Sequence, residues 1–433
     1  MKTAYLIGIG GAGLSGLARY LHHNGYLIYG ADTSDNEVSR RLREEIDATI
    51  FTEHIKENVP DHCDLVVYSP AVPTNNPERV CATEREISQY TYPEYLGVIS
   101  QDKKTIAVSG TNGKTTTTTM VATVLDELGL DPTVIVGGQV PRFGSNFRAG
   151  ESDLFVVEAC EYKDSFLSLH PDIVVVTNIT PDHLDYFGTI ENYVDVFTKF
   201  VSRIPSGGVL ITNPNAQYLD AIVKVAEENG VNVVDYTQYA QHEWNLNVPG
   251  QYNVHNAAAA LTACLQLELE TSTVQKVIEE KFETADRRFQ LLGMTTDGAV
   301  VYDDYAHNVE ALELLINGVR ERYSDKKIVL VYHLHEYSRT QNFLDGWISA
   351  LSKPDIVYLL PIYGAREKAE DFSIRSSDVI EKVIANNPKQ QILYVSDITD
   401  AVKQIEDANY NQEYIVITAG AGQADQVGKL LVG

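Results

Sequence analysis

The stretch Ile106-Ala107-Val108-Ser109-Gly110-Thr111-Asn112-Gly113-Lys114-Thr115 decides how the chain is read. Its first three residues are apolar and read as a buried strand, and Thr115 to Leu128 carries a helical pattern. Between them stand a short glycine loop and a lysine. Strand, glycine loop and helix in that order let backbone N–H groups converge on phosphate oxygens, with the positive end of the helix dipole behind them. Lys114 can then reach the outer phosphates of a nucleotide, and the Thr115 hydroxyl can hold Mg²⁺. The G-x-x-G-K-T spacing is two residues shorter than the common phosphate loop. Gly110, Thr111, Asn112, Gly113, Lys114, Thr115 and Thr116 are the residues read as gripping ATP. The competing reading is an ordinary strand-to-helix turn with a solvated lysine.

A second glycine run, Gly8-Ile9-Gly10-Gly11-Ala12-Gly13, follows the strand Ala4 to Ile9 and opens the helix Leu14 to His23, with Asp32 ending another strand. This order fits a dinucleotide fold. The glycines show only that a backbone approaches a pyrophosphate or packs a helix closely, so NAD, a UDP-sugar and a turn without ligand all remain open. Two carboxylate-bearing segments follow apolar runs: Val156-Val157-Glu158-Ala159-Cys160-Glu161, and Asp182-His183-Leu184-Asp185 after Ile173 to Asn178. Such strand ends suit metal ligands beside nucleotide phosphates, and equally suit solvated strand ends. Further on stand Tyr252-Asn253-Val254-His255-Asn256, Arg287-Arg288-Phe289, Asp303 to Asn308 and His335 to Thr340. None is diagnostic singly.

Other short β-branched runs, Leu65 to Ser69, Leu154 to Glu158, Val300 to Tyr302, Ile328 to Tyr332, Ile356 to Leu360 and Tyr414 to Thr418, alternate with helical patterns. Alternation of this kind predicts an α/β fold with mostly parallel sheets covered by helices. A chain of 433 residues is long enough for about three domains, and polar stretches at Ser100 to Lys104 and Glu283 to Arg288 place the cuts at residues 1–102, 103–287 and 288–433.

The formal net charge of -26 repels nucleic acid and anionic lipid, and no Lys/Arg run reverses it locally, so anionic ligands must be held by local devices. No apolar run is long enough to span a bilayer, and the N-terminal apolar stretch breaks on glycines without a signal-peptide pattern; a cytoplasmic protein is expected. The four cysteines, Cys63, Cys81, Cys160 and Cys264, are scattered without a C-x-x-C pair, which argues against a zinc site or a disulfide framework.

Taken in order, these segments resemble the Mur ligase family, whose members join an amino acid or peptide to a UDP-N-acetylmuramyl carboxylate with ATP. The likeness is carried by GIGGAGLSGLA from Gly8, SPAVPTNNPE from Ser69, SGTNGKTTTT from Ser109, VVEACE from Val156, TNITPDHLDYFG from Thr177 and YNVHNAAAAL from Tyr252. It continues through RRFQ from Arg287, DDYAHN from Asp303, HEYSRT from His335, PIYGAREK from Pro361 and TAGAGQAD from Thr418. The resemblance implies a Rossmann-like UDP-binding domain, a central P-loop-type ATPase domain and a Rossmann-like C-terminal domain. It implies that Lys114 grips the γ-phosphate, that Thr115 and Glu158 hold one Mg²⁺, and that Glu158 and His183 hold a second. Asn253 and Asn256 would lie near the adenine, with Arg288 and Asp304 assisting. His307, His335 and Arg339 would face the substrate, and Gly10, Gly11, Ala12, Gly13, Asp32 and Ser69 would form the UDP-sugar edge.

Within the family the likeness is closest to the alanine-adding branch, which implies UDP-N-acetylmuramate and L-alanine as substrates and a monomer or homodimer. Several siblings carry a carbamylated lysine where this chain has Phe197, which also favours the alanine step. The chain departs from that branch at Asn112 (usually His), at Val309 (usually Pro) and at Cys160 (often acidic). The rival expectations are a ligase that recycles cell-wall tripeptides, a nicotinamide-dependent oxidoreductase, and a non-catalytic nucleotide-binding regulator.

Overall fold

The computed structural model describes residues 2–365 and 367–433, apart from the Asp185 side chain. Three sheets carry the fold, each built by strands that alternate with helices along the chain. The first contains β1 (Lys2–Ile7), β2 (Tyr26–Ala31), β3 (Thr49–Phe51), β4 (Leu65–Tyr68) and β5 (Ser88–Thr91), in the order β3-β2-β1-β4-β5. All of its pairs are parallel, and the central strand β1 is buried on both faces from Thr3 to Ile7, as an unbroken apolar run in a covered parallel sheet should be.

The second sheet contains β6 (Lys104–Ser109), β7 (Thr133–Val140), β8 (Ser145–Arg148), β9 (Leu154–Glu158), β10 (Ile173–Val176), β11 (Val209–Thr212) and β12 (Asn232–Asp235). Its order is β12-β11-β10-β6-β9-β7-β8, parallel except for the edge hairpin β7–β8. The third contains β13 (Gln290–Met294), β14 (Val300–Asp304), β15 (Lys327–His333), β16 (Ile356–Leu359), β17 (Gln391–Tyr394) and β18 (Tyr414–Gly420), in the order β13-β14-β18-β15-β16-β17. Only β13 is antiparallel to its neighbour.

Contacts divide the chain into two compact units. One comprises the residues up to Asn245 with Val254–Glu283 and holds the first two sheets; the other comprises Leu246–Asn253 with Thr284–Gly433 and holds the third. Within the first unit the N-terminal sheet is tied to the central one through helix α1 (Ala12–His23). The Asn146 amide on β8 donates to the Ala12 carbonyl, and its oxygen accepts from Arg19 Nη1 at 3.3 Å. Arg19 is buried and pairs with Glu45 at 2.7 Å, so a charge that could not stay unpaired away from water is matched.

Two expected strands stop early, each for a local reason. The strand expected over Ala4 to Ile9 ends at Ile7 because Gly8 turns at φ +90°. The strand expected over Ile173 to Asn178 ends at Val176, because Thr177 and Asn178 leave the ladder to bond the glycine loop. Among the described residues no helix is long and apolar enough to cross a membrane, and all four cysteines are free thiols.

Candidate active site

The loop after β6 is shaped by two glycines in conformations that a side chain would oppose. Gly110 has φ +126° and a Cβ there would collide with the Thr177 hydroxyl; Gly113 has φ +88°, and a Cβ there would collide with the Asn256 amide. Gly113 caps helix α2 (Lys114–Glu127) without any side chain in the way, which leaves the N–H end of the helix facing the loop. The loop is braced from the end of β10: the Thr111 N–H donates to the Asn178 carbonyl at 2.9 Å, and the Asn112 N–H donates to Asn178 Oδ1 at 3.0 Å. Thr177 Oγ1 and Asn178 Nδ2 donate to the Asn112 carbonyl at 2.6 and 2.9 Å.

Lys114, at the start of α2, turns its ammonium back into this loop. Nζ donates to the carbonyls of Gly110 at 2.6 Å and Thr111 at 3.0 Å, and lies 3.1 and 3.0 Å from the two oxygens of Glu161. Burial disfavours the lysine charge, but the neighbouring carboxylate of Glu161 outweighs it with help from Glu158, and the pKa is raised. Glu158 ends β9, level with Val108 on β6, and the Gly137 N–H on β7 donates to its Oε2 at 2.7 Å. Thr115 and Thr116 lie buried in the first turn of α2. His183 stands in a left-handed conformation at φ +51°, with its N–H on Asp182 Oδ1 at 2.8 Å and its ring 4.7 Å from that of Tyr162.

Also in the first unit, the expected UDP-sugar residues gather beyond the carboxyl ends of β1, β2 and β4, where ligands of open α/β sheets bind. The Gly10 N–H donates to Asp32 Oδ2 at 2.9 Å, and a Cβ on Gly10 would stand 2.8 Å from Asn36. A Cβ on Gly13 would stand 2.8 Å from the Tyr92 ring, so this glycine serves close packing. Gly11 caps α1 without a side-chain bond, Ala12 is the residue held by Asn146, and Ser69 Oγ accepts from the Ala71 N–H at 3.3 Å.

In the second unit, four expected residues, Arg288, His307, His335 and Arg339, are linked into one run through Tyr305 and Glu336. The Arg288 guanidinium lies 4.9 Å from the Tyr305 ring, Tyr305 stands 5.0 Å from His307, and His307 stands 6.0 Å from His335. Glu336 then lies 3.7 Å from His335 Nδ1 and 3.9 Å from Arg339 Nε. Asp304 accepts from the N–H groups of Phe289 at 2.7 Å and Ala306 at 2.8 Å; burial raises its pKa against the pull of Arg288. The paired arginines have separate work. Arg287, at φ +60°, is locked on Asp303 at 3.0 Å and on the Gly420 carbonyl at 2.5 Å, which makes it a brace between β14 and β18. Asn253 donates to the Pro249 carbonyl at 2.7 Å, whereas Asn256 in the first unit faces Gly113.

Sequence reading assigned no role to three residues that the structure puts at these sites. Glu161 holds Lys114, Tyr193 donates to Glu161 Oε1 at 3.1 Å, and Tyr363 stacks 5.9 Å from His335. Glu161 and Tyr363 sat inside quoted motifs, but nothing in their spacing marks a partner; Tyr193 lies on a helix face that reads as core.

Comparison with known proteins agrees along the whole chain. Residues 3–104 match the Mur ligase family catalytic domain, 108–246 the Mur ligase middle domain, and 287–422 the Mur ligase glutamate ligase domain. The UDP-N-acetylmuramate--L-alanine ligase of Alkaliphilus metalliredigens is 35% identical over 461 aligned positions, covering 100% of this chain and 97% of that one. The solved UDP-N-acetylmuramate-alanine ligase of Thermotoga maritima superposes with a TM-score of 0.82 at 25% identity, covering 100% of this chain and 98% of that one. A murein peptide ligase from Psychrobacter arcticus, at 20% identity and a TM-score of 0.70 over 100% and 98% of the two chains, shares the fold. With three family domains in order and relatives aligned from end to end, this chain belongs to the Mur ligase family.

Proposed function

We propose that the chain is the ATP-dependent ligase that joins the lactyl carboxylate of UDP-N-acetylmuramate to L-alanine in peptidoglycan precursor synthesis, working in the cytoplasm. The observation that carries this reading is Lys114, its ammonium turned into a glycine loop at a helix N-terminus with Glu158 at the adjoining strand end. Full-length likeness to alanine-adding relatives supplies the substrates.

The chemistry follows from what the substrates need. A carboxylate is a poor acyl donor, so one of its oxygens attacks the γ-phosphorus, the bond to the bridging oxygen breaks, and ADP leaves. The alanine amine then attacks the acyl-phosphate carbon, loses a proton, and phosphate departs. The protein's part is positioning and charge neutralisation. Lys114 and the N–H groups at the start of α2 take the γ-phosphate; Asn256, beside Gly113, borders the nucleotide. Gly10, Gly11, Gly13, Asp32 and Ser69 receive the UDP-sugar, and Arg288, His307, His335 and Arg339 line the acceptor side.

The donor set suits a hard cation. Among the described residues no group of three or more His, Cys, Asp and Glu is gathered, so no all-protein cage is present. Thr115, Glu158 and His183 fit instead the Mg²⁺ habit of one or two protein ligands completed by phosphates and water. Bound there, one or two Mg²⁺ ions would neutralise phosphate charge.

Phe197 favours the alanine step over its siblings. It is fully buried with its ring against those of Phe166 and Tyr193, so a carbamylated lysine there would carry its charge into an aromatic cluster. The test is ADP release with UDP-N-acetylmuramate and a panel of alanine, glycine, serine and cell-wall tripeptide. Release with alanine and its loss in Lys114→Ala are expected; a Lys114→Ala enzyme with undiminished alanine-dependent release would refute the loop assignment.

A further inference from the structure

Glu161 is almost wholly buried, with 1% of its side chain exposed, and both of its oxygens are spent on two groups. Among the described residues Oε2 has only the Lys114 ammonium, at 3.0 Å; Oε1 has that ammonium at 3.1 Å and the Tyr193 hydroxyl at 3.1 Å. Tyr193 is itself buried, and its hydroxyl lies 3.1 Å from Thr111 Oγ1, which donates to the Thr180 carbonyl at 3.0 Å. The carboxylate is therefore fixed in place by the same loop that the nucleotide uses, and it cannot swing into water when Lys114 turns away. A buried anion that loses its counter-ion is strongly disfavoured. Phosphate oxygens brought to Lys114 would be second claimants on a cation already engaged.

We propose that Glu161 is a positioning residue that competes with the outer phosphates of the nucleotide for Lys114, weakening the hold on ADP and ATP and returning the lysine to the loop when product leaves. This rests on the reading of the loop as a nucleotide site. The competition exists only for phosphates that Lys114 touches, so it discriminates by phosphate number. AMP, which lacks the β- and γ-phosphates, lies outside it.

The experiment is a titration of the full-length protein with AMP, ADP and ATP in magnesium buffer, without the other substrates, by isothermal calorimetry. Glu161→Gln keeps the size and the hydrogen bond to Tyr193 but removes the charge. Its Kd for ADP and ATP is expected to fall roughly tenfold with AMP unchanged, the scale of one charge-assisted contact. Glu161→Asp, which restores the charge, should return both values toward wild type. Tyr193→Phe takes a donor from Glu161 and leaves it more dependent on Lys114, so ADP and ATP should bind more weakly than to wild type. The inference is overturned if Glu161→Gln leaves ADP binding unchanged, weakens it, or shifts AMP equally. Should that variant not fold, Tyr193→Phe with unchanged or tighter ADP binding overturns it. If the wild type binds neither ADP nor ATP, it is the loop reading itself that fails.

Discussion

Gly137 has no side chain to offer a ligand, yet its N–H holds the carboxylate of Glu158 at the strand end beside the phosphate loop. An added Cβ would stand 2.7 to 2.9 Å from the Glu158 carboxyl atoms, closer than a carbon and an oxygen tolerate. Gly137 is exposed and its φ lies outside the left-handed region, so the fold itself accepts alanine there. Gly137→Ala is expected to displace Glu158 and lower kcat by about tenfold or more, with the melting temperature nearly unchanged, because a misplaced charge-stabilising group near transferring phosphate commonly costs that much. Steady-state kinetics beside a thermal melt checks it; an unaltered kcat would remove Glu158 from the machinery. At this scale the sequence showed which local elements carry the candidate residues. Lys114, Glu158 and His183 stand at strand ends and a helix start that their neighbours announce. What it hid were partners distant in sequence, such as Glu161 with Tyr193, 32 positions apart, and Gly137 with Glu158, 21 positions apart on the neighbouring parallel strands β7 and β9.

Among the elements, helix α3 (Ile190–Val201) does two jobs with one buried face. Phe197 and Phe200 pack on Phe166, the latter pair stacked at 4.2 Å between ring centroids, while Tyr193 directs its hydroxyl to Glu161. Removing the Phe197 ring leaves a hole in this cluster, and Phe197→Ala is expected to lose about 3–5 kcal/mol of stability, read from urea unfolding of the first unit. A loss below about 1 kcal/mol would mean that the cluster collapses to fill the gap. Strands were legible where they were apolar throughout, as in β6, β9, β10 and β15. The strands β3, β5, β7, β8, β11, β12, β13 and β17 escaped sequence reading, whereas β2 was marked only by its end at Asp32. Several of these, including β3, β5, β12 and β17, are only partly buried edge or near-edge strands whose polar residues face water, and β7–β8 mixes glycines into its run. Such segments become strands because a neighbour offers its ladder, which no local pattern records.

At the scale of the molecule, contact grouping into two units predicts two unfolding steps rather than one. The second unit carries its own pH signature. His333 is half-buried against Gly422, its Nδ1 accepts from the Gln423 N–H at 3.1 Å, and desolvation there holds its pKa down to about 4 from 6.5. The unfolded chain therefore takes up that proton first on acidification, and the stability contributed is full above about 6.5 and lost as pH falls toward 4. Asp303, raised by burial to about 6 from 3.8 despite Arg287, works in the opposite sense: its contribution is full below 3.8 and lost as pH rises through 6. The two slopes oppose one another in the wild type. His333→Gln should therefore gain stability relative to wild type as pH is lowered from 6.5 to 4, seen as a growing difference in the midpoint of the second unit's transition. A difference independent of pH would show that His333 titrates normally.

The sequence by itself determined the alternation of strand and helix, the glycine loop with its lysine, and the family, because each depends on residues that are neighbours along the chain or on motifs in a set order. The tertiary structure alone decided which charges meet. Lys114 rests on Glu161, 47 positions away; Arg287 rather than Arg288 braces the third sheet; Asn146 ties the N-terminal sheet to the central one, 134 positions from Ala12. Electrostatic pairing is set by distance in space and by the water that burial removes, and neither is written in the spacing of residues along a chain.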